Sequence, residues 1–506
     1  MAELRTVPGA LLGGAPAGRW MPSGGGVPDE VARELNPFVP IRPAYRLALL
    51  TAGAAYVALA GSIALFTGAP GAEWIIPGLA FLVACRLMVL YLPLRATGWF
   101  HPLVLGALLS ARPLLQEFPS YAWGLSRHAA LPQVAGEELG RLLGWKLALS
   151  GLGVLSLYAG FFFGPRLPLP RVRFPARASV APRALAAVGV AAGAFWLYVS
   201  QRGGIAGHLL SWSGGRAEAL SGSFYWVVLV STGGLACLLW FANDRAALRR
   251  PLFLAAAAVS LAIDFLAAGS RGAVLGVLIA GFLLWALRER RISWVRFGGL
   301  CMAAVVTVGL LGEFRRGLWR GHLDYTVLTE FSLSEVVHES ALPELVSRRT
   351  VEEGTLPILA RVPTEVDHIY GSSYLAVLTL PVPRGMWPAK PGMVGGRIGR
   401  TFFGVRSGVP ATAVGEAYWN FHIPGIILVF ALFGVFLKWM ASLLAAHGRS
   451  PTLMLFYVLV MWLAPEPTSD AVVQVVFMAV PFVVLAAAFG LLRTGRAHPL
   501  SPAEAP

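Results

Sequence analysis

Residues 371–425 read GSSYLAVLTLPVPRGMWPAKPGMVGGRIGRTFFGVRSGVPATAVGEAYWNFHIPG. This segment is too polar and too rich in proline and glycine to cross a bilayer, yet it lies between long apolar runs. It gathers Arg384, Lys390, Arg397, Arg400, Arg406 and Glu416 among aromatic side chains. A segment of this kind, kept outside the spans, faces a charged and partly polar substrate. The rest of the chain then reads as the scaffold that delivers that substrate.

Composition agrees. Of 506 residues, 56% are hydrophobic and 13% charged, and the mean hydropathy is +0.66. Soluble domains sit near 45–50% apolar and about 25% charged, so a membrane protein is expected. The apolar runs are continuous, without the alternation of a β-barrel. Three cysteines, Cys85, Cys237 and Cys301, lie inside apolar runs and offer neither a disulfide framework nor metal-ligand spacing. The net charge of +15 points to anionic partners or to arginine-rich cytoplasmic loops. Nucleic acid is not expected, because no basic patch sits on a soluble domain.

Residues 1–43 form a Gly- and Pro-rich tail without the apolar core of a signal peptide. Spans are expected at about 45–67, 74–93, 98–111, 146–164, 182–200, 223–242, 250–269, 273–288, 294–313, 421–440, 452–464 and 471–492. Loop 165–183 carries Arg166, Arg171, Arg173, Arg177 and Arg183 with no acid. Arg245, Arg249 and Arg250 mark another loop, as do Arg290 and Arg291, whereas 465–470 (PEPTSD) holds no Lys or Arg. The positive-inside rule makes the arginine loops cytoplasmic. The expected fold is therefore an all-α polytopic membrane protein of about twelve transmembrane helices with both termini cytoplasmic. Its parts are the 1–43 tail, membrane helices over 44–313, a large external loop over 314–420, membrane helices over 421–492 and a cytoplasmic tail over 493–506.

Three external segments carry the candidate chemistry. In the large loop, Ser332 and Glu335 fit a capping box before a short amphipathic helix bearing Leu333, Val336, Val337 and Ala341. That helix lies in the interface, or it presents His338 as a base. Around 201–222, glycines let the backbone approach a ligand between Arg202 and Arg216. Arginine's planar fork suits phosphate, although an ordinary turn with snorkelling arginines has the same sequence. Arg271 occupies a tight GSRGAVL turn, and Asp264 about two turns earlier can pair with a cation in the bundle. In 371–425, prolines fix a platform for Arg384 and Lys390 as a phosphate clamp. Trp387, Tyr418 and Trp419 offer faces for sugar rings. Glu416 is either a general base with a raised pKa or an ion-pair partner of an arginine.

The pattern G-S-S-Y…P-R…W-P-A-K-P followed by G-E-x-Y-x-N-F, with G-S-R-G and R-G-G-I earlier, resembles the Wzy-type O-antigen or oligosaccharide repeat-unit polymerases. The likeness spans about 200–490 in layout. Arg384 to Gly395 and Arg397 to Gly408 also have the family's R-x10-G spacing. His422 departs from it, since Gly is expected after Asn-Phe. The resemblance implies a GT-C-like glycosyltransferase of the bacterial inner membrane, acting at the periplasmic face. Its members polymerise undecaprenyl-pyrophosphate-linked repeat units for O-antigen, capsule or exopolysaccharide. No metal, nucleotide sugar or other cofactor is expected; a Wzz-like chain-length regulator and a flippase are the expected partners, with membrane lipids. The catalytic set is then Glu416, Arg384 and Arg271, and the binding set Lys390, Arg216, Arg202, Arg397, Tyr418, Asn420 and Trp387. The rival readings are an O-antigen ligase, for which no histidine motif is evident, and a polysaccharide transporter or flippase, for which no internal repeat is evident.

Overall fold

The computed structural model describes residues 38–92, 98–125, 127–170, 172–175, 179–214, 223–269, 271–319, 354–379, 382, 386–387, 390–405, 408–448 and 450–494. These residues are mostly helical. In order the helices are α1 (Pro43–Thr67), α2 (Ala72–Leu87), α3 (Pro102–Leu109), α4 (Arg112–Gln116), α5 (Phe118–Trp123), α6 (Glu137–Phe163), α7 (Ala181–Ser200), α8 (Gly204–Leu210) and α9 (Phe224–Asn243). There follow α10 (Pro251–Ala268), α11 (Arg271–Arg288), α12 (Trp294–Trp319), α13 (Thr355–Arg361), α14 (Ser372–Leu378), α15 (Val394–Phe403), α16 (Ala413–His447), α17 (Pro451–Leu463) and α18 (Ser469–Ala488). Val172–Arg173 also pairs antiparallel with Arg493–Thr494.

Among the described residues, eight helices are long and apolar enough to cross a membrane, which makes the chain a multi-pass, all-α membrane protein. They are α1, α2, α6, α7, α9, α10, α16 and α18. Shorter apolar helices stand at Pro102–Gln116, Gly272–Arg288, Trp294–Thr307 and Pro451–Leu463. Sequence punctuation sets many of their ends. Proline opens α1, α10 and α17 at positions whose N–H would lack a helical partner. Left-handed Gly68 and Gly269 close α1 and α10.

Two helix starts differ most from the sequence expectation. Helix α6 starts at Glu137, not near 146, because its first turns pack on α2 and bury Leu139 and Leu143. Helix α16 starts at Ala413, so Glu416–Asn420 are helical and not part of a loop. The helix then breaks: Phe421 has φ −146° and His422 has φ 58°, ψ −148° before Pro424 restores the helical course. A Cβ in that region of φ/ψ space costs on the order of 1–3 kcal/mol.

Helix α6 is the hub, packing most extensively on α2 and α16. The largest core joins α9, α11, α16 and α17 through Trp240, Leu284, Met440, Tyr457 and Val458. A second core holds α13, α15 and the start of α16 against α6 through Ile358, Ile398, Trp419, Ile426 and Leu149. That second core positions the candidate site. Cys85 and Cys237 are buried packing residues and Cys301 is exposed; all three are free.

Candidate functional site

The site begins at the N-terminus of α16. Thr412 takes the extended conformation of an N-cap and its side chain accepts from the Gly415 N–H at 3.3 Å. Thr355 holds the cap in turn, its Oγ1 lying 3.0 Å from Thr412 Oγ1 and accepting from the Thr412 N–H at 3.0 Å. Gly415 is needed here, since a Cβ would stand 2.7 Å from Thr355 Oγ1. Replacing Thr412 by alanine is expected to cost about 1 kcal/mol, read as a lower melting temperature in detergent.

One turn on, Glu416 is fully buried. Its Oε2 accepts from the backbone N–H of Ser469 at 2.9 Å. The carboxylate thus meets the N-terminus of α18, where the exposed N–H groups and helix dipole favour negative charge. The Ser373 and Ser469 hydroxyls lie against the carboxylate. Glu416 Oε1, Ser469 Oγ and Tyr374 OH are nevertheless buried without a well-aligned partner among the described residues. Burial, reinforced by the Glu416 charge, pushes the Tyr374 phenol up, so it stays a proton donor. Asn420 binds the pieces together: its Nδ2 donates to Ser373 Oγ (2.9 Å) and to the Glu416 carbonyl (2.8 Å), and its Oδ1 accepts from the Gly371 N–H (2.7 Å). Arg397 Nη1 donates to Ser372 Oγ at 2.6 Å. Burial and then Arg400 hold the Arg397 guanidinium below its ordinary pKa.

Glu416, Asn420 and Arg397 are therefore brought together through the Ser372–Ser373 turn. Tyr418 points elsewhere on α16, its hydroxyl 2.7 Å from His422 Nε2. Lys390 Nζ donates to the Val382 carbonyl at 3.0 Å, and Trp387 is 42% exposed. Arg202 belongs to a different cluster. Its guanidinium lies 4.7 Å from the Tyr198 ring centroid and donates to Ser223 Oγ. Arg271 opens α11, while its side chain lies outside the described residues, as do Arg384, Arg216, Arg406, Ser332, Glu335 and His338. Asp264 is corrected: its buried carboxylate accepts from Ser231 Oγ at 2.6 Å and has no cation partner among the described residues. Glu416 is buried as well. Its sealed carboxylate staples α16 to α18 through the Ser469 N–H.

Beneath this site lies a buried ionic network that sequence reading missed. Lys146 Nζ donates to both Glu117 oxygens at 3.0 and 3.1 Å, and Tyr121 OH donates to the same carboxylate at 2.6 Å. Arg86 lies 3.7 Å from Glu466 and donates to Ser110 Oγ. Burial pushes the Glu466 carboxyl up, opposed by Arg86, the Ala413 backbone and Lys146. Two cavities of about 40 Å³ flank Arg86 and Glu466, one reaching Thr412 and Lys146. Each has room for ordered water. On the other side of the α2–α6 pair, a groove of about 760 Å³ runs between Trp74, Phe81 and Trp145, with Glu73 and Arg141 also in its wall.

The oxygen-rich Glu416 cluster can hold protons and order hydroxyl groups, and the described residues contain no group of three or more His, Cys, Asp or Glu side chains placed to hold a metal ion. Compared with known proteins, the chain matches no family model, no curated protein and no solved structure.

Proposed function

We propose that the protein is a membrane glycosyltransferase that polymerises undecaprenyl-pyrophosphate-linked oligosaccharide repeat units at the periplasmic face of the bacterial inner membrane. About twelve spans in a GT-C-like arrangement carry the site, and both termini are cytoplasmic. The observation that carries the reading is the joining of Arg397, Ser372–Ser373, Asn420 and Glu416 at the start of α16. Ser372–Ser373 belong to the G-S-S-Y segment and Glu416 and Asn420 to the G-E-x-Y-x-N-F segment, and Arg397 from the stretch between them donates to Ser372.

In this reading the growing glycan leaves its lipid pyrophosphate and bonds to a hydroxyl of the newly delivered unit. Departure of a pyrophosphate needs cations aimed at the developing charge, the largest single contribution in such chemistry. Arg397, Lys390, Arg384, Arg271 and Arg216 are the cations proposed for it. Glu416 and Asn420, both buried, position the surrounding segments through Ser469 and Ser373. The groove between α2 and α6, walled by three aromatic rings, supports passage of an isoprenoid chain. A chain-length regulator and a flippase are the proposed partners.

Deletion of the gene tests this. The surface lipid is expected to keep single-unit caps while long glycan chains vanish. Loss of all transferred glycan would instead favour a ligase or a flippase.

A further inference from the structure

The break in α16 falls on a histidine whose backbone is one that glycine adopts freely and other residues avoid. His422, at φ 58° and ψ −148°, interrupts an otherwise continuous 35-residue helix. The fold holds it there through its side chain. His422 Nε2 lies 2.7 Å from the hydroxyl of Tyr418, one turn back, and the two rings are 4.3 Å apart. Tyr418 is itself buried at 6% exposure, so the phenol is a fixed post. The imidazole is half-exposed. Its other nitrogen, Nδ1, has no hydrogen-bond partner among the described residues.

The neighbourhood suits a sugar. The segment packed beside His422 supplies His368, whose ring centre is 6.0 Å away and whose Nδ1 is tied to the Trp419 carbonyl at 3.1 Å. Tyr370 follows, 71% exposed and with its own positive φ of 43°. Phe421 is 40% exposed on the near side. Exposed aromatic faces beside a polar, proton-accepting nitrogen are what a pyranose ring with a reactive hydroxyl requires. Asp367 anchors the same segment, its carbonyl accepting from Trp419 Nε1 at 3.1 Å. Glu416 and Asn420, on another face of α16, are closed to such a ligand.

We infer that His422 is the proton acceptor for the incoming sugar hydroxyl, and that Tyr418 positions it. The inference rests on the polymerase reading. With His422 Nε2–H donating to the Tyr418 oxygen, Nδ1 keeps its lone pair. The acceptor O–H gives its proton to Nδ1 as the oxygen attacks C1 of the donor glycan. The C1–O bond to the lipid pyrophosphate breaks and its electron pair leaves with the pyrophosphate. The imidazolium then returns the proton to that leaving group or to water. The balance needs no other reactant.

The test uses full-length protein in liposomes, supplied with lipid-linked single repeat units extracted from cells that lack it. His422→Gly relieves the backbone, so its melting temperature is expected to equal or exceed that of the wild type. Its kcat is expected to fall about 100-fold with little change in KM, the size of a lost general base. His422→Gln keeps a polar side chain at the position and is expected to lose rate similarly; Tyr418→Phe is expected to lose less. His422→Gly or His422→Gln within threefold of wild-type kcat would overturn the assignment. A folded wild-type protein that makes no polymer would overturn the polymerase reading, and this assignment with it, which is a different result from an active wild type with active variants.

Discussion

Lys146→Ala is expected to destabilise the protein by about 3–5 kcal/mol, the cost of leaving a buried partner charge uncompensated. The Lys146 and Glu117 side chains are 6% and 10% exposed, and the ammonium contacts both carboxylate oxygens. Tyr121 supplies the carboxylate with one further donor, too little to replace a cation. The effect is measured as a large drop in melting temperature in detergent. Lys146→Met combined with Glu117→Gln is expected to recover most of it, because no unpaired charge remains. A Lys146→Ala protein as stable as the wild type would show that the pair contributes nothing to the fold.

Gly160→Leu is expected to cost about 3 kcal/mol or more and to separate α6 from α16. A Cβ at Gly160 would stand 1.9 Å from the carbonyl oxygen of Ala431, and one at Gly434 would stand 2.1 Å from that of Leu157. Those atoms belong to backbone and cannot rotate away. In a bilayer, where lipid is as apolar as leucine, such close approach is a main source of helix association. Gly189 provides the control. It lies on α7 with nothing within 4 Å of its Cβ position, so Gly189→Ala is expected to be neutral or mildly stabilising. Opposite signs for Gly160→Leu and Gly189→Ala, read as melting temperatures, separate packing from helix propensity.

Both predictions concern features that single-sequence reading does not reach. Apolar runs bounded by arginine loops, prolines and glycines are enough to locate the long helices, because membrane insertion is decided by local composition. The Glu416–Asn420 segment was legible as a polar, aromatic cluster against an apolar run. Its role was not. Whether Glu416 faces a cavity or the end of α18 depends on the Ser469 N–H, placed by a chain reversal elsewhere. Arg86 and Glu466 meet across the fold, and Lys146 lies near the start of a run that composition alone assigns wholly to lipid. Long-range ionic pairing leaves no periodic trace. Asp264 misled for the same reason, as its partner is the Ser231 hydroxyl of the neighbouring helix. His422 did leave a signal, a histidine where glycine was expected. Only the φ of 58° explains why glycine would suit the position and what keeping a side chain there costs.

A polymerase joins lipid-linked repeat units to one another unaided. The most direct measurement is incubation of the purified full-length protein, in liposomes, with lipid-linked single repeat units and no other enzyme, followed by separation of the glycans by length. A ladder of products at integral multiples of the repeat unit is expected, lost on His422→Gly in a protein that still melts at or above the wild-type temperature. Single units recovered unchanged from folded wild-type protein would contradict the polymerase reading.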